Sequence, residues 1–229
     1  MTANTLTPQM LTGRSTDHLA VLSGNHRLQP QAVAAFQAMQ QAAARAGFDL
    51  QPASTFRDFD RQLAIWNGKF RGERPVLDKD SQPLDISGCS DAERCGFILR
   101  WSALPGASRH HWGSDLDVYD PHLLPEGKTL QLEPWEYEQG GYFYSLNNWM
   151  SDHMAEFGFY RPYAEDRGGV AVEPWHLSYR PLAQLCASQL TPEVLISAWQ
   201  GQDVAGSDWV ISEMATLFPR FIALPTNNI

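Results

Sequence analysis

The sequence predicts an α+β domain: a small, mostly antiparallel sheet with helices packed against it, followed by a C-terminal helical extension. Three observations carry that expectation. Short β-prone segments surround two histidine-containing stretches, residues 108–117 and 173–176. Helical periodicity recurs before, between and after them. A chain of 229 residues with 43% hydrophobic side chains can also bury a sizeable core. We divide it into a domain over residues 1–182 and an extension over 183–229 packed on the same domain.

Taken in order, residues 31–46 read as a helix, with Val33, Phe36, Met39 and Ala43 at helical spacing, Pro30 at the start and Gly47 as the cap. Residues 48–54 alternate as a short strand, which Pro52 confines to an edge or a strand end. Residues 58–66 return to helical spacing through Phe59, Leu63 and Trp66. Residues 68–106 form a long irregular connection with a short helix near 93–99, either a lid or a solvated insertion. Residues 116–119 are β-prone, and 133–141 read as a loop. The stripe Leu146, Trp149, Met150, Met154 and Phe157 marks a helix over 145–157. Residues 159–163 and 170–176 read as a hairpin across the turn-rich segment 164–169. Two helices, 191–199 and 207–218, make up the tail, the first opened by Thr191 and Pro192.

Composition excludes several functions. A net charge of −9 without a basic stripe argues against nucleic-acid binding, which depends on neutralising phosphates with Lys and Arg. An anionic substrate would have to be met by individual arginines. No apolar run is long enough to span a membrane. Residues 1–11 show no secretion signal, so a cytoplasmic location is expected, or a periplasmic one if a signal has been removed. Cys89, Cys95 and Cys186 suit a reducing compartment, with a Cys89–Cys95 bridge across a loop as the alternative.

The chemistry concentrates in Ser108-Arg109-His110-His111-Trp112-Gly113-Ser114-Asp115-Leu116-Asp117 and Glu173-Pro174-Trp175-His176. A catalytic zinc takes three imidazole or carboxylate ligands and leaves one position open. His110 and Asp117 are seven positions apart, neither a helix-face nor a strand-face spacing. They converge on one ion only if Gly113 lets the chain bend. Glu173 and His176 need a similar bend at Pro174. With His176 as third ligand, Glu173 is left free as a general base. Asp115 shares a strand face with Asp117, where it could orient a ligand, reshape the pocket or cap a turn. Trp112 and Trp175 serve as pocket walls or as core.

SRHHWGSDLD and EPWH resemble the Ser-x-His-x-x-Gly-x-Ala-x-Asp and Glu-x-x-His motifs of zinc D-alanyl-D-alanine carboxypeptidases of the VanY type. That family is related to the VanX dipeptidases and to the hedgehog and lysostaphin-like metal folds. Ser54-Thr55-Phe56-Arg57 with Gln62 is similar to the family's Ser-Gly-Tyr-Arg segment, and GFYRPY to its Gly-Phe-x-x-x-Tyr strand. The resemblance spans roughly residues 20–182. It implies that His110, Asp117 and His176 hold Zn²⁺ and that Glu173 is the base. Arg57 would face the substrate carbonyl or carboxylate, and Ser108 and Gln62 would contact the substrate's terminal group; as a pocket wall, Trp175 is a further candidate substrate contact. His111 would be a neighbour pointing elsewhere. Asp115 and Thr55-Phe56 depart from the pattern. The implied activity is release of D-alanine from peptidoglycan-derived peptides, by an L,D cut on a tetrapeptide or a D,D cut on a pentapeptide. The alternatives are a D,D-dipeptidase, a murein endopeptidase and a non-catalytic zinc- or peptide-binding module.

Overall fold

The computed structural model describes residues 6–79 and 81–223. The first five residues and residues 224–229 of the predicted extension lie outside that set. After α1 (Pro8–Leu11), a two-stranded hairpin, β1 (Ala20–Ser23) and β2 (His26–Leu28), precedes α2 (Pro30–Arg45). The hairpin is absent from the sequence reading, because its strands are too short to show alternation. Helix α2 follows the expected periodicity: proline opens it, and Val33, Phe36, Met39 and Ala43 are buried.

The main sheet has four antiparallel strands in the order β3 (Gln51–Ser54), β4 (Asp115–Tyr119), β6 (His176–Tyr179), β5 (Phe159–Tyr160). Strand β3 lies at the edge, where its proline cannot interrupt a ladder on both sides. Between β3 and β4 come α3 (Phe59–Phe70), capped by the Asp58 carboxylate accepting from the Arg61 N–H at 2.7 Å, and α4 (Asp91–Leu99), opened by a Ser90/Glu93 capping box. Helix α3 runs a turn further than its apolar spacing suggests, which places Lys69 on it. Residues 133–141 are not all loop. They contain α5 (Pro134–Tyr137), where Glu133 and Glu136 cap each other's backbone.

The expected helix at 145–157 is α6 (Tyr144–His153), completed by a tighter turn over Met154–Phe157. The expected strand at 170–176 is a correction. Residues 171–175 are irregular, and the strand begins only at His176, where the chain leaves a turn at Pro174 and Trp175. Proline offers no N–H to a ladder. Directly after β6 comes α7 (Arg180–Gln189), so position 182 falls inside a helix.

The tail continues through α8 (Pro192–Ala198), α9 (Ser207–Ser212) and α10 (Met214–Leu217), ending in a wide helical turn over Phe218–Ile222. One core packs α2 and α6 with Leu116, Val118 and Leu177 of the sheet. The other joins Phe59, Trp66, Ile98 and Trp112 to Leu195, Trp199, Val210 and Leu217 of the tail. Each large apolar side chain buried there contributes about 1.5–3 kcal/mol. Indole N–H groups tie the join: Trp66 donates to the Ala205 carbonyl at 2.9 Å and Trp199 to the Pro105 carbonyl at 2.7 Å. Cys89, Cys95 and Cys186 are all free thiols. Cys95 points into the core from α4, where burial pushes its thiol up to about 12. Among the described residues no helix is long and apolar enough to cross a membrane.

Candidate metal centre and active site

Strand β4 organises the site. Its period of two sends Leu116 and Val118 into the core and leaves Asp115 and Asp117 together on the other face. Asp117 sits in register with Ser54 on β3 and with His176 on β6, so the ligand candidates from two strands are direct cross-strand neighbours. His110 arrives on a 3-10 turn, Arg109–Trp112, which Gly113 ends at φ +68°. A Cβ at Gly113 would collide with Leu19 and lie 3.2 Å from the backbone nitrogen of Gln29. That nitrogen donates to the Gly113 carbonyl at 2.8 Å. The expected bend is present, and the space beside it is closed to any side chain.

His110, Asp117 and His176 each offer a ligand atom, all within 4.8 Å of one another, and all three residues are buried. The hydrogen bonds assign the ring nitrogens. His110 Nδ1 lies 2.8 Å from the Thr55 carbonyl, which only accepts, so Nδ1 carries the proton and Nε2 faces Asp117 Oδ2 at 3.3 Å. His176 Nε2 donates to Asp115 Oδ1 at 3.0 Å, leaving Nδ1 towards Asp117 Oδ1 at 3.2 Å and Glu173 Oε2 at 3.3 Å. One nitrogen of each ring opens on a common space while the other is anchored, as metal-holding histidines require.

Asp117 Oδ1 is buried without a hydrogen bond, although His176 Nδ1 lies 3.2 Å away. Burial opposes charge on His176, yet the hydrogen bond to Asp115 and the nearby carboxylates of Asp117 and Glu173 overcome it and raise its pKa well above the usual value. Burial likewise works against the Asp117 carboxylate, and the charge and hydrogen bond of His110 more than offset it, holding its pKa far below normal. The cluster is built for a cation. An N,N,O donor set fits a divalent metal of the zinc type.

Glu173 is delivered by the turn in which the His176 N–H bonds the Glu173 carbonyl at 3.2 Å, and its own N–H is fixed to the Tyr163 carbonyl at 3.0 Å. Its carboxylate is 13% exposed and lines the cavity. Arg57 lines it too, with its backbone N–H on the His110 carbonyl at 3.3 Å and its Nη1 donating to Gln62 Oε1 at 2.9 Å. Burial lowers the Arg57 pKa, opposed by the charges of Asp117 and Glu173.

Gln62 is not on the cavity wall. It is fully buried, with its amide nitrogen on the Ala103 carbonyl at 2.7 Å, and it orients Arg57 rather than touching a substrate. Ser108 and Trp175 are both buried and both line the cavity.

Asp115 is 0% exposed and off the wall, so of its three readings the geometry supports the orienting one. It accepts from His176, from Arg109 Nε at 2.8 Å and from the Ser114 hydroxyl. Burial would raise its pKa, but the Arg109 charge prevails and holds it at about 2. His111 donates from Nδ1 to the Arg57 carbonyl at 2.6 Å and accepts the Gly106 N–H on Nε2 at 3.1 Å. Burial drops its pKa to about 3, so it is a neutral brace for the Arg57 backbone.

Sequence reasoning missed Arg109, Thr55, Tyr163 and Lys69. Arg109 also donates to Tyr160 at 2.9 Å and Ser178 at 2.6 Å and stacks over Trp112 at 4.7 Å. An arginine six residues before an unexplained aspartate was the available signal. Tyr163 stands edge-on to His176 at 5.1 Å. The cavity, about 260 Å³, draws Leu77, Trp101 and Leu104 from the long connection and Phe221 and Ile222 from the tail.

A buried His–Asp–His cluster with a carboxylate beside it at the floor of a cavity defines the class: a metallohydrolase centre on an α+β sheet. Comparison with known proteins agrees. The sequence profile of the D-alanyl-D-alanine carboxypeptidase family VanY matches residues 25–182, and the chain belongs to that family, whose members hydrolyse peptidoglycan peptides. It is 46% identical over 121 residues to an uncharacterised protein of Haemophilus influenzae, across 52% of this chain and 92% of that one. Among solved structures it is similar to VanYB in complex with D-alanine-D-alanine, with 20% identity and a TM-score of 0.53 over 87% of this chain and 91% of the other. It is also similar to a VanY D,D-pentapeptidase mutant in complex with Zn(II), with 21% identity and a TM-score of 0.51 over 84% of this chain and 88% of the other. Those two likenesses concern the fold.

Proposed function

We propose that this protein is a zinc carboxypeptidase that removes a terminal D-alanine from soluble peptidoglycan-derived peptides. The observation that carries the reading is the convergence of His110 Nε2, His176 Nδ1 and the unpartnered Asp117 Oδ1, with Glu173 Oε2 3.3 Å from the His176 nitrogen. A metal bound there supplies Lewis acidity and brings the pKa of a water down from 15.7 towards about 7. Glu173 takes a proton from the attacking water and returns it to the departing amine. Arg57, held by Gln62 and by the His111 brace on its backbone, offers its guanidinium to the charge developing on the peptide carbonyl oxygen. The hydroxyl of Ser108 and the face of Trp175 position the peptide end.

The cavity sits just below the lower end of the ~300–1,000 Å³ typical of small-molecule sites. That size suits the end of a peptide better than a cross-linked polymer. Soluble fragments of the kind met in cytoplasmic wall recycling are the substrates of this reading. The donors and the base have no counterpart in a module that only binds. The test is a panel of tri-, tetra- and pentapeptides given to zinc-loaded protein, with Glu173→Ala as control. Release of D-alanine from the tetrapeptide defines an L,D enzyme, and from the pentapeptide a D,D enzyme. Cleavage of free D-Ala-D-Ala alone makes it a dipeptidase. No release from any peptide, with zinc bound stoichiometrically, refutes the enzyme reading.

A further inference from the structure

The site has a second cation that the mechanism does not use. Lys69, in the last turn of α3, lines the same cavity as Arg57 and Glu173. It is only partly exposed, and among the described residues no hydrogen bond or ion pair engages its ammonium. Burial lowers its pKa, and the neighbouring charges of Arg57 and Arg74 lower it further, with Glu173 acting the other way. An ammonium taken partly out of water without a counter-ion is unfavourable, and two such cations facing one cavity repel each other. Arg57 is held at one arm by Gln62, and the charges of Asp117 and Glu173 draw its guanidinium towards the reacting end. One arginine cannot serve both the developing oxyanion and a substrate carboxylate. A second anion-binding group is missing from the mechanism, and an unpaired cation is present in the cavity.

We infer that Lys69 binds a substrate carboxylate, so that this cavity selects peptides carrying that carboxylate free. The inference rests on the peptidase reading and deepens it. Two carboxylates have the right chemistry: the C-terminal one, and one on a residue upstream of the scissile bond. A point-charge ammonium on a flexible stem suits either, where a planar guanidinium would demand bidentate geometry.

The experiment uses zinc-loaded protein in a Glu173→Ala background, so that uncleaved peptides report affinity by calorimetry. One pair of peptides differs by amidation of the C-terminus, and a second pair by amidation of the upstream carboxylate. The protein with Lys69 intact should discriminate acid from amide by about 10- to 100-fold in one pair, the scale of a hydrogen bond to a charged group. Lys69→Gln should bring that pair's ratio to near one, and Lys69→Arg should keep it well above one. Whichever pair responds identifies the carboxylate. Ratios unchanged by Lys69→Gln, or lost equally in the charge-keeping Lys69→Arg, overturn the inference. Its failure is separable from failure of the peptidase reading: if the unsubstituted enzyme releases no D-alanine yet the Lys69-dependent ratio stands, only the reaction falls.

Discussion

Replacing Asp115 with asparagine keeps the shape of the side chain and removes its charge. Two effects should follow, and the structure lets them be separated. The first concerns the metal. His176 Nε2 now donates to a carboxylate at 3.0 Å, which fixes the ring and makes Nδ1 more basic. Loss of such a partner weakens metal binding by roughly 10- to 100-fold, or about 1.4–2.7 kcal/mol. The second concerns folding. Arg109 is 4% exposed, and Asp115 is its charge partner at 2.8 Å. Breaking a buried pair costs about 3–5 kcal/mol. The lower end applies, because Tyr160 and Ser178 still accept from the guanidinium. Against a total stability of about 5–15 kcal/mol the variant should still fold.

The assay is zinc competition with a chromophoric chelator, paired with denaturant unfolding of the metal-free protein. The double variant Arg109→Met, Asp115→Leu replaces the ion pair by apolar groups, a change that is often neutral or stabilising. It should recover much of the lost stability without recovering zinc affinity. If Asp115→Asn holds zinc within a factor of two of the unsubstituted protein, the orienting role of Asp115 is wrong.

Three further outcomes are expected. Glu173→Ala should lower kcat by about 10²–10⁴ while zinc content stays stoichiometric; a loss of zinc in step with activity would make Glu173 a ligand instead. Gly113→Ala should destabilise by more than about 1–2 kcal/mol, the left-handed penalty alone, because the added methyl also meets Leu19 and Gln29. Denaturant midpoints measured with and without zinc show whether the loss lies in folding or in the site. His18 is buried, and burial lowers its pKa despite the neighbouring His111 backbone and the charge of Asp17. The folded state therefore binds the proton less well than the unfolded one. Its contribution is complete above pH ~6.5 and is lost as pH falls from there towards the lowered folded value, by up to about 1.4 kcal/mol per pH unit. His18→Leu should flatten that loss in metal-free protein between pH 7.5 and 5.5, and parallel curves for the two proteins would refute it.

The parts of this fold that sequence revealed are those whose signal is local. Val33, Phe36, Met39 and Ala43 announce α2 because one helix face alone decides their burial. Gly113 announces the bend because the spacing from His110 to Asp117 fits no regular element. The missed parts depend on partners remote in sequence. Residues 170–176 are apolar enough for a strand, but the Ala171 N–H goes to Arg100 and the Glu173 N–H to Tyr163, so the ladder starts only at His176. Arg109 looks like a surface residue until Ser178 and Tyr160 are brought to it from the far strands. Gln62 reads as a substrate contact from its motif, and only the position of Ala103 shows that both ends of its amide are already taken.

Those remote partners form one chain of contacts. Thr55 anchors His110, His110 faces Asp117, Asp117 faces His176, His176 leans on Asp115, and Asp115 holds Arg109, which returns to Ser178 on the same strand as His176. A chain of close polar contacts among buried side chains behaves as a unit, so substitutions along it should not add. Arg109 spends its hydrogen bonds on Asp115, Tyr160 and Ser178, and through Asp115 it sets how firmly His176 is gripped. Asp115 is therefore where folding energy and metal affinity meet.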